Sequence, residues 1–178
     1  MRARAGALIV AAIVVAPSAC DNERVQETDY SQVVRFDTTT VRLSGRRGTV
    51  TLRVELALSP DQRTMGLMER RQLDEGVGML FVHDSIQPAE AGFWMFRTRI
   101  PLDIAFLDEG GVIRAMRTMT PCETTLAQGC PTYAPGVPYR YALEVNAGFL
   151  ARHGLTIGDS ADLRAARSRA PGPSAGGS

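Results

Sequence analysis

Apolar and polar residues alternate most cleanly between Arg47 and Leu58, where Val50, Leu52, Val54, Leu56 and Leu58 fall on one side and Thr49, Thr51, Arg53 and Glu55 on the other. Successive side chains of an extended chain point to opposite faces, so this period of two predicts a strand with one buried face. Val41 and Leu43 repeat the pattern upstream, and Ser44-Gly45-Arg46-Arg47-Gly48 supplies turn residues between the two, which predicts a hairpin. Ser59-Pro60-Asp61-Gln62 then carries a helix start: Ser59 caps free N–H groups, Pro60 suits the first turn, and Gln62 completes a capping box. The helix is expected to reach about Met68, with Gly66 inside it held by packing or allowing another backbone to come close. Gly78–His83, Gly92–Thr98, Leu102–Leu107, Val112–Met119 and Tyr139–Asn146 read as further strands, with Asp108-Glu109-Gly110-Gly111 as a hairpin loop. Phe149–His153 reads as one helical turn ended by Gly154, and Ile157-Gly158-Asp159 leads into a last strand near Ala161–Leu163. Seven to eight short strands with two short helices make an α+β, predominantly β domain. Several strands are apolar on both faces, which suits a barrel-like domain and equally a sandwich.

Beyond this folded stretch the pattern changes. Residues 1–20 place Arg2 and Arg4 before an apolar run from Ala5 to Ala16 and then Pro17-Ser18-Ala19-Cys20, the charged, apolar, small-residue order of an export signal. Twelve apolar residues are too few for a membrane span, which needs about 20. Ser18-Ala19-Cys20 resembles the lipobox of bacterial lipoproteins, with Pro17 where that pattern prefers an aliphatic residue. The resemblance implies lipidation at Cys20 and attachment to a membrane while the domain stays in water; the competing outcome is ordinary cleavage that leaves a free thiol. Residues 21–32 read as a solvated tether and residues 165–178 as a Pro/Gly/Ser/Arg tail without a core. A single domain over residues 33–164 remains, on the periplasmic or outer face of a bacterial membrane.

Composition narrows the chemistry. The chain has 20 basic and 19 acidic residues, and every base is an arginine, so lysine-based amine chemistry is excluded. The near balance gives no footprint for nucleic acid. Cys122 and Cys130 lie in a loop, Pro121–Pro138, rich in Pro and Gly, and in an oxidising compartment they are expected to form a disulfide; a redox or metal pair is the rival, although the C-x7-C spacing matches neither common pattern. With both cysteines committed, a Cys–His nucleophile has no thiol, and no G-x-S-x-G motif is present. His83 at a strand end and His153 near a helix end stand outside any H-E-x-x-H array and read as solvated or capping residues. Met65-x-x-Met68 and Met116-x-x-Met119 raise thioether ligation of Cu(I), against which core filling is the favoured reading. No metal or cofactor is expected.

The densest stretch is Phe93–Phe106, which holds the single tryptophan, Trp94, and sets Asp103 on the strand face opposite Leu102, Ile104 and Phe106. Glu144 and Asn146 likewise lie opposite Tyr141, Leu143 and Val145. Asp103 with Glu144 is a candidate general acid/base pair of the glycosidase kind, or each is structural glue bonded to arginines or loop N–H groups. Arg63, Gly66-Leu67-Met68, Arg70, Gly78-Met79-Leu80-Phe81, Phe93-Trp94-Met95, Ile100-Pro101-Leu102-Asp103-Ile104, Phe106, Leu143-Glu144-Val145-Asn146-Ala147-Gly148, Gly154 and Gly158-Asp159 together resemble the prokaryotic family called domain of unknown function 192, over about Val50–Leu163. Where that family has Lys-Asn after Trp-Met, this chain has Phe96-Arg97. The resemblance implies a compact, often exported β-rich fold without an assigned activity. Three expectations follow: a non-enzymatic binding module taking an envelope glycan, a small molecule or a protein through Arg63, Arg70, Trp94, Asp103, Glu144 and Asn146; a hydrolase using Asp103 and Glu144; or a structural assembly role with no pocket.

Overall fold

The computed structural model of the protein describes residues 34–122, 124 and 126–170. The expected export signal, the expected lipidation site Cys20, the expected tether over residues 21–32 and the part of the expected tail beyond Ala170 lie outside the described residues.

The expected hairpin is present: β1 (Asp37–Gly45) and β2 (Gly48–Ala57) pair antiparallel with Val41 opposite Leu52 and Leu43 opposite Val50, joined by Arg46-Arg47. One face of the pair is fully buried, as the alternation requires. Helix α1 (Pro60–Met65) starts at the expected capping box, in which the Gln62 N–H donates to Ser59 Oγ at 3.2 Å and the Ser59 N–H donates to Gln62 Oε1 at 2.8 Å. It ends sooner than expected. Gly66 terminates it instead of lying inside it, adopting φ 49°, and a Cβ there would meet the Phe81 ring at 3.3 Å. The close approach is therefore to an aromatic ring, not a backbone.

The chain continues as β3 (Val77–Gln87), β4 (Phe93–Trp94), β5 (Leu102–Leu107), β6 (Ile113–Met119), β7 (Thr132–Tyr133), β8 (Tyr139–Asn146), α2 (Phe149–Arg152), β9 (Ser160–Asp162) and α3 (Arg164–Arg167). Seven strands form one curled sheet in the order β6-β5-β8-β3-β2-β1-β9, antiparallel except for β2 with β3; β4 and β7 form a separate pair. At one end the sheet's two edges meet, since the Ala161 N–H donates to the Gly111 carbonyl and the Ile113 N–H to the Asp159 carbonyl, both at 2.8 Å. The fold is thus α+β and predominantly β, a half-barrel with a small second sheet.

Two expectations are corrected. Gly92–Thr98 is not a continuous strand: Phe93–Trp94 pairs with Thr132–Tyr133, Phe96 makes an isolated bridge to Cys122, and the chain then turns, with the Thr98 N–H on the Met95 carbonyl and Arg97 at φ 57°. The polar stretch from Ala165 does not begin a solvated tail either. It forms most of α3, where Ala166 is fully buried, the Arg167 guanidinium lies 5.4 Å from the Tyr141 ring centroid, and Arg169 donates to the Thr38 carbonyl at 2.6 Å.

Strands β5 and β8 and the Gly78–Val82 half of β3 are buried on both faces, which explains their near-continuous apolar runs. Their inner face joins β1, β2, α2 and β9 in one core around Leu43, Leu52, Leu80, Leu143 and Phe149. Their outer face carries a second core around Met79, Phe81, Ile104, Phe106 and Tyr139, covered by loop residues such as Phe93, Ile100, Tyr133 and Val137. No helix among the described residues is long and apolar enough to cross a membrane.

Candidate functional site

On that outer face a cavity of about 500 Å³ opens between α1 with the turn after it, the ends of β3 and β8, and the segment around Trp94. Glu144 lines it because alternation along β8 sends Tyr141, Leu143 and Val145 to the inner core and leaves Ala142 and Glu144 on the outer face. In the ladder Glu144 stands between Met79 of β3 and Ile104 of β5, both apolar and fully buried. Its side chain is 4% exposed and has no hydrogen-bond or ion-pair partner among the described residues. Burial alone pushes its pKa up to about 8, because the charged form has lost its water and gained nothing in exchange.

His83 extends the Met79–Phe81 face of β3 into the same cavity and packs edge-on against Tyr139, ring centroids 5.5 Å apart. Burial first, then the Arg63 charge, holds the imidazole down at about 4 despite Asp84, so the ring is neutral at pH 7; its Nε2 is buried without a partner. Burial pushes the Tyr139 hydroxyl up to about 12. Phe93 stands edge-on to Phe81 at 4.8 Å and to Phe106 at 5.7 Å, so the wall is aromatic. Trp94, 44% exposed, stands at the rim. The pairing that places these two residues depends on Gly92, where a Cβ would lie 2.5 Å from the Thr132 side chain and 2.8 Å from the Ala134 nitrogen. The Cys122–Cys130 disulfide, Cα atoms 5.7 Å apart, ties the loop that carries β7.

Of the six residues expected to bind, Arg63, Trp94 and Glu144 converge on the cavity. Arg63 has part of its donors committed, one nitrogen donating to the Val82 carbonyl at 2.9 Å and the other paired with Asp84 at 3.6 Å. Arg70 and Asn146 lie outside it and hold its wall: Arg70 grips Glu55 through both guanidinium nitrogens, and Asn146 Nδ2 donates to the Leu73 carbonyl at 2.8 Å. Asp103 is on the other face of the sheet. Its carboxylate accepts from the Thr118 hydroxyl at 2.8 Å and from the Leu150 N–H at 3.2 Å. Asp103 and Glu144 therefore cannot flank one bond, and the two-carboxylate hydrolase loses its geometry.

Sequence reasoning missed His83, Tyr139 and Phe93. It ended the strand at His83, whereas β3 runs on to Gln87 and leaves His83 mid-strand and part-buried. The signal was available: Met79, Phe81 and His83 keep one period-two face. Met119 fills the outer core and Met116 packs against the inner one, on opposite faces, whereas Met65 and Met68 are half-buried and line the cavity instead of filling core. Among the described residues no three His, Cys, Asp or Glu side chains cluster to hold a metal.

The family model DUF192, "Uncharacterized ACR", matches residues 40–163. No curated protein matches the chain. A crystal structure from Sinorhizobium meliloti 1021, of a protein provisionally described as a transcription regulator, is 36% identical with a TM-score of 0.65, covering 72% of this chain and 95% of that one. A protein of unknown function from Novosphingobium aromaticivorans DSM 12444 is 32% identical with a TM-score of 0.60, covering 70% of this chain and 84% of its own.

Proposed function

Because this chain belongs to the DUF192 family, described only as uncharacterized, we propose from its site that it is a non-enzymatic ligand-binding domain, exported and held at the cell envelope by a lipid on Cys20. The observation that carries the binding reading is the cavity itself: an aromatic-walled recess with an unpaired carboxyl among its lining and a tryptophan at its rim. Ligand sites are concavities that combine apolar walls with convergent polar groups, and this recess sets Phe81, Phe93 and Tyr139 beside Arg63, His83, Asp84 and Glu144. A purely structural role leaves both the recess and its uncompensated carboxyl unexplained. The description of the Sinorhizobium meliloti neighbour does not carry over, since 20 bases against 19 acids give no electrostatic hold on nucleic acid.

Trp94 is the only tryptophan and reports directly on the rim. Titrating the full chain with envelope glycans, small-molecule fractions and envelope proteins should change its fluorescence saturably, and Trp94→Ala should abolish the signal and weaken binding seen by calorimetry. Silence across all three classes would overturn the binding role. Mass spectrometry of the N-terminal peptide tests the anchor independently: an unmodified Cys20 removes it.

A further inference from the structure

We propose that the cavity is a receptor for an organic cation, an alkylated or quaternary ammonium group whose charge seats against Glu144 and whose substituents pack on the rings lining the same recess. This rests on the binding reading and narrows it to one ligand chemistry.

Three observations lead there. Glu144 is 4% exposed, lines the recess, and has no partner among the described residues, so once it ionises a bound cation can supply the counter-charge that they do not. The rings of Phe81, Phe93, Tyr139 and Trp94 line the same space, and aromatic faces carry the negative end of a quadrupole that attracts cations. Among the described residues the cations near the site are held by other groups, apart from Arg140 beside Tyr139, whose Nε is buried without a partner and whose Nη1 lies 3.9 Å from Glu109. Arg63 of α1 is held by the Val82 carbonyl and Asp84, Arg70 by Glu55 in the next position of the ladder, and Arg117 of β6, in the same row beyond Ile104, by the Met116 and Pro135 carbonyls. Of the other titratable groups lining the recess, His83 of β3 and Tyr139 of β8 are neutral at pH 7, and Asp84 is paired with Arg63. An anionic ligand would find Arg63 already held and, above about pH 8, an opposing carboxylate. A neutral one could pack on the rings but would bring no counter-charge to Glu144 once it ionises.

Seating a cation requires Glu144 to give up its proton, which it otherwise keeps up to about pH 8. The probes are benzyltrimethylammonium, whose charge is permanent, and 2-phenylethanol as a neutral counterpart, titrated into the full chain by calorimetry from about pH 6 to about pH 9. Below pH 8 the affinity for the cation should rise about tenfold for each pH unit and then level off, with about one proton released per cation bound, seen as heats that vary with the buffer. Glu144→Gln copies the protonated carboxyl, so it should fold normally, lose the pH dependence, and bind the cation at least about tenfold more weakly at pH 9 with 2-phenylethanol unaffected. If the alcohol binds as tightly as the cation and no proton is released, the cation assignment falls while the binding role stands. If folded protein takes up no cation at about 10 mM and pH 9, the assignment also falls, and the wider titrations described for the binding role judge that role separately.

Discussion

Asp103 and Glu144 sit on neighbouring strands of one sheet, each 4% exposed, and their surroundings could hardly differ more. Asp103 faces the inner core and is satisfied by a hydroxyl from β6 and an N–H from α2. Glu144 faces the outer core and is satisfied by nothing among the described residues. The inner face is covered by the sheet's own curl and by helices, whereas the outer face is covered by loops that part to leave a cavity. Equal burial thus marks two roles. A carboxylate with its bonds filled locks structure, and one left empty beside a recess costs stability once it ionises, a cost that protonation or a ligand relieves.

The largest expected effect tests that contrast through pH. The unfolded Glu144 carboxyl titrates near 4.5 and the folded one near 8, so between those values the native state keeps a proton that the unfolded state has released. Stability is therefore full below about pH 4.5 and is lost as pH rises through 8, by about 1.4 kcal/mol per unit. His83 runs the other way: its folded value lies near 4 and its unfolded value near 6.5, so stability rises with pH across that span. The two arms offset each other between about 4.5 and 6.5, and the wild-type curve should fall chiefly above pH 6.5. Glu144→Gln removes the falling arm. Urea unfolding at several pH values should show the variant equal to wild type near pH 4.5 and more stable by about 4 kcal/mol near pH 8.5. Parallel curves would mean the carboxyl has a partner after all.

Asp103→Ala should do the opposite and more simply. It strands the buried Leu150 N–H and the Thr118 hydroxyl, a loss of about 3 kcal/mol. The same urea titrations measure it. A variant within about 0.5 kcal/mol of wild type would show that the inner face does not rely on this link.

Much of this contrast was legible in the sequence, and its limits have physical reasons. Alternation placed Asp103 opposite Ile104 and Glu144 opposite Leu143, because strand periodicity is local. Which of those faces opens to a cavity depends on the register of β5 against β8, where Asp103 meets Val145 and Ile104 meets Glu144, and on loops that cover only one side. Neither is encoded within a short window. The β1–β2 hairpin and the Ser59 capping box were legible for the same local reason. The Phe93–Trp94 segment was over-read as a full strand because its partner, Thr132–Tyr133, lies in a loop that composition marks as irregular. Arg164–Arg167 was under-read because its helix buries one small residue, Ala166, too little to leave an apolar stripe.

A third test separates the faces by what covers them. Cys122 and Cys130 tie the loop that pairs with Phe93–Trp94 on the cavity side alone. Replacing both by serine should cost about 2.5 kcal/mol by restoring freedom to the unfolded loop. It should also shift Trp94 emission towards that of a freer, more hydrated indole, while the pH arm of Glu144 persists. An unchanged emission would mean that the β4–β7 pairing holds the rim without the bridge.

The smallest effect concerns the opposite wall. Helix α1 has six residues and none of them buried, too few to stand by propensity. It is held by its cap and by Arg63 reaching across to β3. Ser59→Ala removes the acceptor for the Gln62 N–H and should cost about 1 kcal/mol, read by thermal or urea unfolding. Because Pro60 and Arg63 line the cavity, the same change should weaken binding of whatever ligand the Trp94 titrations identify, with little effect on the Asp103 side. If Ser59→Ala lowers stability yet leaves affinity untouched, Arg63 alone fixes the wall. Adding Arg63→Ala to Ser59→Ala would then reveal it, since two changes sharing one short helix should not act independently.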